Sequence, residues 1–228
     1  MPLTSNPHIT RAGSAWARLQ DGNLRWAQGH SEAAGSRGAA RRAEVTTAQS
    51  PFALILGCSD SRVPAEILFD QGIGDLFVVR TAGHVVDAGV LGSVEYAVEI
   101  LGVSLVIVLG HDGCGAVNAA AGIIDDAQVP PGYIRDVAER IAPNVLRARV
   151  AGATTCDEIA GQHARYTLEL LRQRSTLLDD AVHRGTVSTQ PAQYCLDTGI
   201  VTAVRQPTDM TEAAAHAAPP QVRALARA

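Results

Sequence analysis

The chain has 228 residues, of which 46% are hydrophobic and 18% charged, so it is long enough to bury a sizeable core. Its formal net charge of −4 gives no electrostatic basis for binding nucleic acid. Four cysteines are too few for a disulfide scaffold, and neither a signal peptide nor a bilayer-spanning apolar run is apparent. We therefore predict a cytoplasmic protein without a membrane partner.

The first half of the chain contains one predicted helix and then three predicted strands. Residues 10–29 carry apolar side chains at helical spacing, whereas residues 31–50 are small and polar and predict a loop or weak helix. The strands are short continuous apolar runs typical of strands buried on both faces: Phe52 to Gly57, Leu76 to Val79 and Ser104 to Leu109. Periodicity predicts further helices over residues 90–101, 113–124, 133–148 and 156–184.

The end of the chain predicts edge strands followed by a tail. Short strands are expected near residues 186–190, 193–196 and 200–204, and Pro191 between the first two indicates a sheet edge. From Arg205 the composition is rich in Ala, Pro and Gln, which is typical of a flexible tail. The expected organisation is a single domain over residues 1–204 with an N-terminal helical arm, then a tail over residues 205–228.

Alternating strands and helices with short connections predict an α/β fold with a central, largely parallel sheet and flanking helices. In such sheets, ligands bind beyond the carboxyl ends of the strands. Cys58 follows the first strand directly, and His111 and Cys114 follow the third. Two segments far apart in the chain are therefore expected to meet at one rim of the sheet.

These three residues carry the ligand types that zinc accepts in tetrahedral geometry. The spacing of His111 and Cys114 lets both side chains reach one ion, and three protein ligands leave a fourth position for water, as in catalytic zinc sites. Taken alone, Cys58 is more often a small core hydrophobe, and a His-x-x-Cys pair is a weak signal. Their joint position at two strand ends favours a metal site.

Several segments of the chain resemble the beta-class carbonic anhydrases. The resemblance runs from about residue 14 to residue 204, and it includes Asp21-Gly22-Asn23 and Tyr194-x-x-Asp197-Thr198-Gly199. Its most specific segments are Cys58-Ser-Asp60-Ser-Arg62, Phe77-Val-Val-Arg80, Glu95-Tyr96-Ala97 and Gly110-His111-x-x-Cys114-Gly115. It implies one zinc ion per subunit, held by Cys58, His111 and Cys114. It also implies a homodimer or homotetramer with its sites near subunit interfaces.

The resemblance implies the reversible hydration of carbon dioxide to bicarbonate and a proton, by attack of zinc-bound hydroxide. Two thiolates leave zinc less positive than neutral imidazoles would, so the activation of water depends on neighbouring groups. Asp60 is expected to orient the nucleophile, and Arg62 to hold Asp60 ionised. Gln49, Phe77 and Tyr96 match positions of the family's substrate pocket.

Simpler interpretations exist for several of these residues. Asp60 could be a turn residue that satisfies local backbone, Arg62 a solvated charge, and Phe77 and Tyr96 core aromatics. His84 adjoins the motifs and could carry protons at neutral pH, although a structural histidine with satisfied hydrogen bonds is the commoner case. Asp112 is a second candidate for proton transfer.

Two other functions remain open at this point. One is the hydrolysis of carbon disulfide or carbonyl sulfide on the same scaffold, for which the zinc ligands would look alike. The other is a non-catalytic zinc module, in which a fourth Cys or His closes the site. Cys156 or Cys195 could supply that ligand, but neither lies beside a zinc-like partner in the sequence.

Overall fold

A five-stranded sheet in the order β2-β1-β3-β4-β5 forms the centre of the computed structural model, which describes residues 7–204. The first four strands are parallel and β5 is antiparallel to β4, which confirms the predicted α/β fold with a largely parallel sheet. The strands are β1 (Ala53–Cys58), β2 (Leu76–Thr81), β3 (Leu105–His111), β4 (Ser188–Tyr194) and β5 (Val201–Ala203). The predicted tail over residues 205–228 lies outside the described residues.

Helices pack on both faces of this sheet. They are α1 (Pro7–Ala27), α2 (Ala39–Glu44), α3 (Ala65–Leu68), α4 (Ala88–Glu95), α5 (Gly115–Asp126), α6 (Gly132–Val150), α7 (Cys156–Arg174) and α8 (Thr176–His183). The chain continues from α4 into a π-helical turn, Tyr96–Ile100, so the predicted helix over residues 90–101 changes its pitch near its end. Within residues 7–204, no helix combines the length and the apolar character that crossing a membrane requires.

The central strands β1 and β3 contribute side chains to two hydrophobic cores, one on each face of the sheet, because successive side chains of a strand point to opposite faces. Leu54 and Leu56 pack with residues of α4, α7 and α8 on one face. Ala53 and Ile55 pack with residues of α1 and α3 on the other. Every residue of β1 and β3 is buried, which explains why these strands are continuous apolar runs without alternation.

Two predicted boundaries are wrong. The helix predicted over residues 156–184 is interrupted at Ser175, whose hydroxyl accepts a hydrogen bond from the Leu178 amide and donates one to Glu95. A single capping residue between two helices leaves the apolar periodicity nearly intact, so periodicity alone does not reveal the break.

The strands predicted on either side of Pro191 form one strand, β4, which lies between β3 and β5. The Pro191 carbonyl accepts a hydrogen bond from the Val204 amide, beyond the end of the short β5. The amide hydrogen that proline lacks would also point toward β5. The hydrogen bonds between β4 and β3 are therefore all retained.

The N-terminal arm is fixed to the sheet through Gly22 and Asn23 of α1. Asn23 is buried, and its amide nitrogen donates to the carbonyls of Leu68 and Gly199, at 3.1 and 2.9 Å. Its side-chain oxygen accepts a hydrogen bond of 2.7 Å from the Val201 amide. A Cβ on Gly22 would overlap the backbone carbonyl of Phe69. Only glycine therefore allows α1 to approach the segment after α3 this closely.

Replacing Gly22 by alanine should lower the free energy of unfolding by about 1–3 kcal/mol, because the added methyl meets backbone that has little room to move. Gly13→Ala is the matched control in the same helix, since a Cβ there meets nothing within 4 Å. That control should be neutral or more stable by up to about 1 kcal/mol, as expected from helix propensity. Urea denaturation measures both, and equal stabilities would contradict the close approach.

Candidate metal centre

The structure brings Cys58, His111 and Cys114 together at the carboxyl rim of the sheet. Cys58 is the last residue of β1, His111 is the last residue of β3, and Cys114 is the residue before α5. Their potential ligand atoms all lie within 4.8 Å of one another, and all three residues are buried. Cys156 and Cys195 lie outside the cluster, which within residues 7–204 contains only these three side chains.

His111 is oriented as a metal ligand. Its Nδ1 lies 2.8 Å from the carbonyl oxygen of Asp112, which can only accept a hydrogen bond, so Nδ1 carries the proton. Its Nε2 then has a free lone pair directed at the cysteine sulfurs, and this buried atom has no hydrogen-bond partner among the described residues. A buried acceptor without a partner is costly in a native protein. A metal cation between the imidazole and the two sulfurs removes that cost, so the donor set fits a zinc ion.

The environment favours thiolate at Cys58. A hydrogen bond from the Cys114 thiol is the largest cause that lowers the pKa of Cys58 to about 4, against the opposing effect of burial. His111 and the backbone amides of Asp60 and Gly83 act in the same direction. Within this pair the remaining proton stays on Cys114, whose pKa is raised by its hydrogen bond to Cys58. A divalent cation would replace that shared proton.

Asp60 lies beside the cluster and is paired with Arg62. Its carboxylate is 4.0 Å from His111 Nε2 and accepts two hydrogen bonds, of 2.9 and 2.7 Å, from the Arg62 guanidinium. This side-chain hydrogen bond is the main reason that the pKa of Asp60 lies far below its usual value. Because Arg62 takes both carboxylate oxygens, Asp60 stays outside the set of three ligand atoms in this conformation.

Arg80 holds the backbone beside Cys58, a contact that the sequence analysis did not predict. Its Nε donates to the Cys58 carbonyl at 2.9 Å and its Nη2 to the Asp60 carbonyl at 2.5 Å. One side chain thereby fixes the backbone on both sides of Ser59. Membership in the Phe77-Val-Val-Arg80 segment was the signal in the sequence, but that segment does not reveal what Arg80 contacts.

The three residues of the expected substrate pocket do not surround the cluster within one chain. Gln49 is exposed in the segment before β1, at the opposite end of that strand from Cys58. Phe77 pairs with Leu54, four residues before Cys58, which corresponds to roughly 13 Å along the strand. Tyr96 accompanies Phe77, with a distance of 6.1 Å between ring centroids.

The two candidates for proton transfer have different surroundings. Asp112 accepts a hydrogen bond of 2.8 Å from the Leu196 amide, so its carboxylate holds the turn after β4. His84 is buried and stacks on His163 with 4.4 Å between ring centroids. Neither ring nitrogen of His84 has a hydrogen-bond partner among the described residues, so the expectation of a satisfied structural histidine is wrong.

Fold and cluster together define the class of protein: an α/β protein with a buried Cys-His-Cys cluster, able to hold a metal ion, at the carboxyl rim of a largely parallel sheet. The sequence profile of the carbonic anhydrase family matches residues 53–201. A protein from Mycolicibacterium smegmatis called carbonic anhydrase is 50% identical over 82% of this chain and 91% of its own length. Carbonic anhydrase 2 of Mycobacterium tuberculosis is 48% identical over 83% of this chain and 91% of its own.

Solved structures with a similar fold are also carbonic anhydrases. The beta-carbonic anhydrase of Coccomyxa is 26% identical, with a TM-score of 0.62 over 82% of this chain and 85% of that one. The beta-carbonic anhydrase CafA of Aspergillus fumigatus, at 24% identity, has the same fold, with a TM-score of 0.63 over 88% of this chain and 95% of that one. The chain belongs to the beta class of the carbonic anhydrase family.

Replacing Cys58 by serine should abolish stable zinc binding, because a neutral hydroxyl is a poor substitute for a thiolate ligand. We expect zinc to be lost from Cys58→Ser on dialysis, and the melting temperature to fall with it. Cys195→Ser removes a thiol outside the cluster and should keep its zinc. Metal analysis by mass spectrometry measures both variants. Full zinc content in Cys58→Ser would contradict the ligand assignment.

Proposed function

We propose that this protein catalyses the reversible hydration of carbon dioxide to bicarbonate and a proton, with one zinc ion per subunit held by Cys58, His111 and Cys114. The observation that carries the proposal is a buried cluster of two cysteine sulfurs and one imidazole nitrogen, with a carboxylate 4.0 Å from that nitrogen. When bound, zinc supplies a Lewis acid that lowers the pKa of water in the fourth position.

Asp60 and Arg62 supply the orientation of the nucleophile. The Asp60 carboxylate, kept ionised by Arg62, accepts a hydrogen bond from the attacking water and directs its lone pair at the carbon of the substrate. Arg62 itself is held at its far end by the Gly113 carbonyl, at 3.4 Å. Arg80 makes the segment from Cys58 to Asp60 more rigid, because it donates hydrogen bonds to the carbonyls of both residues.

The substrate pocket is best explained by a homo-oligomer, dimer or tetramer, in which a second copy contributes Gln49, Phe77 and Tyr96. The strand β2, which carries Phe77, lies at the edge of the sheet. Tyr96, whose ring centroid lies 6.1 Å from that of Phe77, is 46% exposed, so an exposed aromatic surface that a second subunit could cover adjoins this edge. One solved neighbour of the same fold, at 20% identity, is itself described as a tetrameric beta-carbonic anhydrase, from Sordaria macrospora.

Asp60→Asn should retain zinc and lose most activity, because the neutral amide no longer accepts as a carboxylate and no longer pairs with Arg62. A decrease in kcat/KM of roughly 100-fold or more is expected. Stopped-flow hydration of carbon dioxide, with zinc analysis of the same sample, tests this. Asp125→Asn is the control, since that carboxylate pairs with Arg149 at the surface and should leave the rate unchanged. Undiminished activity in Asp60→Asn would remove the proposed role.

The contribution of a second subunit can be tested by complementation. If Gln49 acts across the interface, an Asp60→Ala chain paired with a Gln49→Ala chain forms one site with both groups intact. Co-expression of the two weak variants should then restore activity toward half of the wild-type value per mixed dimer. If Gln49 acts within its own chain, no mixed site is complete and activity stays low, which would contradict the proposal. Sedimentation analysis of the wild type measures the number of subunits.

The alternative substrates, carbonyl sulfide and carbon disulfide, would use the same ligands, so direct assay of all three compounds decides between them. A non-catalytic zinc module is not favoured, because within residues 7–204 no fourth Cys or His joins the cluster.

The cytoplasmic location and the absence of a nucleic-acid partner stay predictions from the sequence. Subcellular fractionation checks the former.

A further inference from the structure

A chain of hydrogen bonds, partly buried at Asn144 and buried beyond it, leads from α6 to the sulfur of Cys58. The side-chain nitrogen of Asn144 lies 2.8 Å from Nδ1 of His163, and Nε2 of His163 lies 2.9 Å from the carbonyl oxygen of Gly83. The amide of Gly83 donates to the sulfur of Cys58 at 3.3 Å. Two helices, α6 and α7, and the turn that contains Gly83 are distant in sequence and converge behind one proposed metal ligand.

The direction of these hydrogen bonds follows from the groups involved. The Gly83 carbonyl only accepts, so Nε2 of His163 carries the proton. Nδ1 must then accept from the amide of Asn144. Burial lowers the pKa of His163 to about 4, which keeps the ring neutral and makes this arrangement available at ordinary pH. Asn144 thus fixes the tautomer, and His163 holds the Gly83 carbonyl in one orientation.

The position of Gly83 accepts only glycine. Its φ is +58°, in the left-handed region that favours glycine. A Cβ there would fall 2.6 Å from Cδ1 of Ile141 and 2.8 Å from Cβ of Ala116. The peptide group before Gly83 is held by the sulfur and the one after it by His163. Losing the second hydrogen bond releases the turn that aims the first.

We propose that His163 is a positioning residue of the metal centre: it fixes Gly83 so that the Gly83 amide donates to the Cys58 sulfur and withdraws charge from it. The inference rests on the proposed zinc site. Hydrogen bonds to ligand sulfurs and other outer contacts tune both the affinity for a metal and its electrophilicity. A centre with two thiolates is the case in which such withdrawal matters, because each thiolate reduces the positive charge of the ion.

The competing explanation is that Asn144 and His163 only hold α6 and α7 together around the buried His84. Cobalt(II) bound to the full-length protein separates the two, since its thiolate-to-metal charge-transfer band reports electron density on the sulfur. His163→Leu, which lacks the donor, should move this band to lower energy and weaken metal affinity by about tenfold. His163→Gln keeps an N–H near the position of Nε2 and should restore both values toward wild type.

Asn144→Leu supports the test if His163→Leu does not fold, because it removes only the group that fixes the tautomer. It should shift the band in the same direction by a smaller amount. The inference is overturned if the leucine variants lose thermal stability while the band and the affinity stay at their wild-type values, or if His163→Gln behaves as His163→Leu. A wild-type protein that shows no thiolate–cobalt band would instead refute the proposed metal site.

Discussion

The parallel pairing of β1 with β3 is the constraint on which the metal centre depends. Because Gly57 lies opposite Leu109, both strands end at the same rim, and Cys58 and His111 follow within one or two residues. Antiparallel pairing would place their ends at opposite edges of the sheet. A shift of one strand by one residue would exchange the side chains that it places in the two cores, so the packing of those particular side chains favours this register.

Around the ligands, the protein supplies hydrogen-bond donors rather than further ligands. Arg80 donates to two backbone carbonyls beside Cys58, the Gly83 amide donates to the sulfur, and Arg62 donates to Asp60. Each donor offsets negative charge that two thiolates and a carboxylate would otherwise concentrate in a buried place. In the proposed function, this arrangement would let an electron-rich set of ligands still activate water.

The geometry also separates the metal centre from the pocket that should receive the substrate. The candidate ligands belong to one rim of the sheet, whereas Gln49 precedes β1 and Phe77 is the second residue of the edge strand β2. In the proposed function, a second subunit brings the two sets together. Within one chain, the hydrogen bonds of Asn23 fix α1 to the end of α3 and to the segment after β4.

The sequence by itself determined the three central strands and the positions of Cys58, His111 and Cys114 at the ends of two of them, because continuous apolar runs and the segments that follow them are local patterns. It did not reveal the continuity of β4 through Pro191 or the break at Ser175, which depend on neighbours far away in the chain. Likewise, the contact between His163 and Gly83 joins residues 80 positions apart, so no local sequence pattern indicates it. Only the tertiary structure decided that the Gly83 amide donates to the Cys58 sulfur. Such a contact depends on how separate elements pack against each other, which the sequence of a single element does not specify.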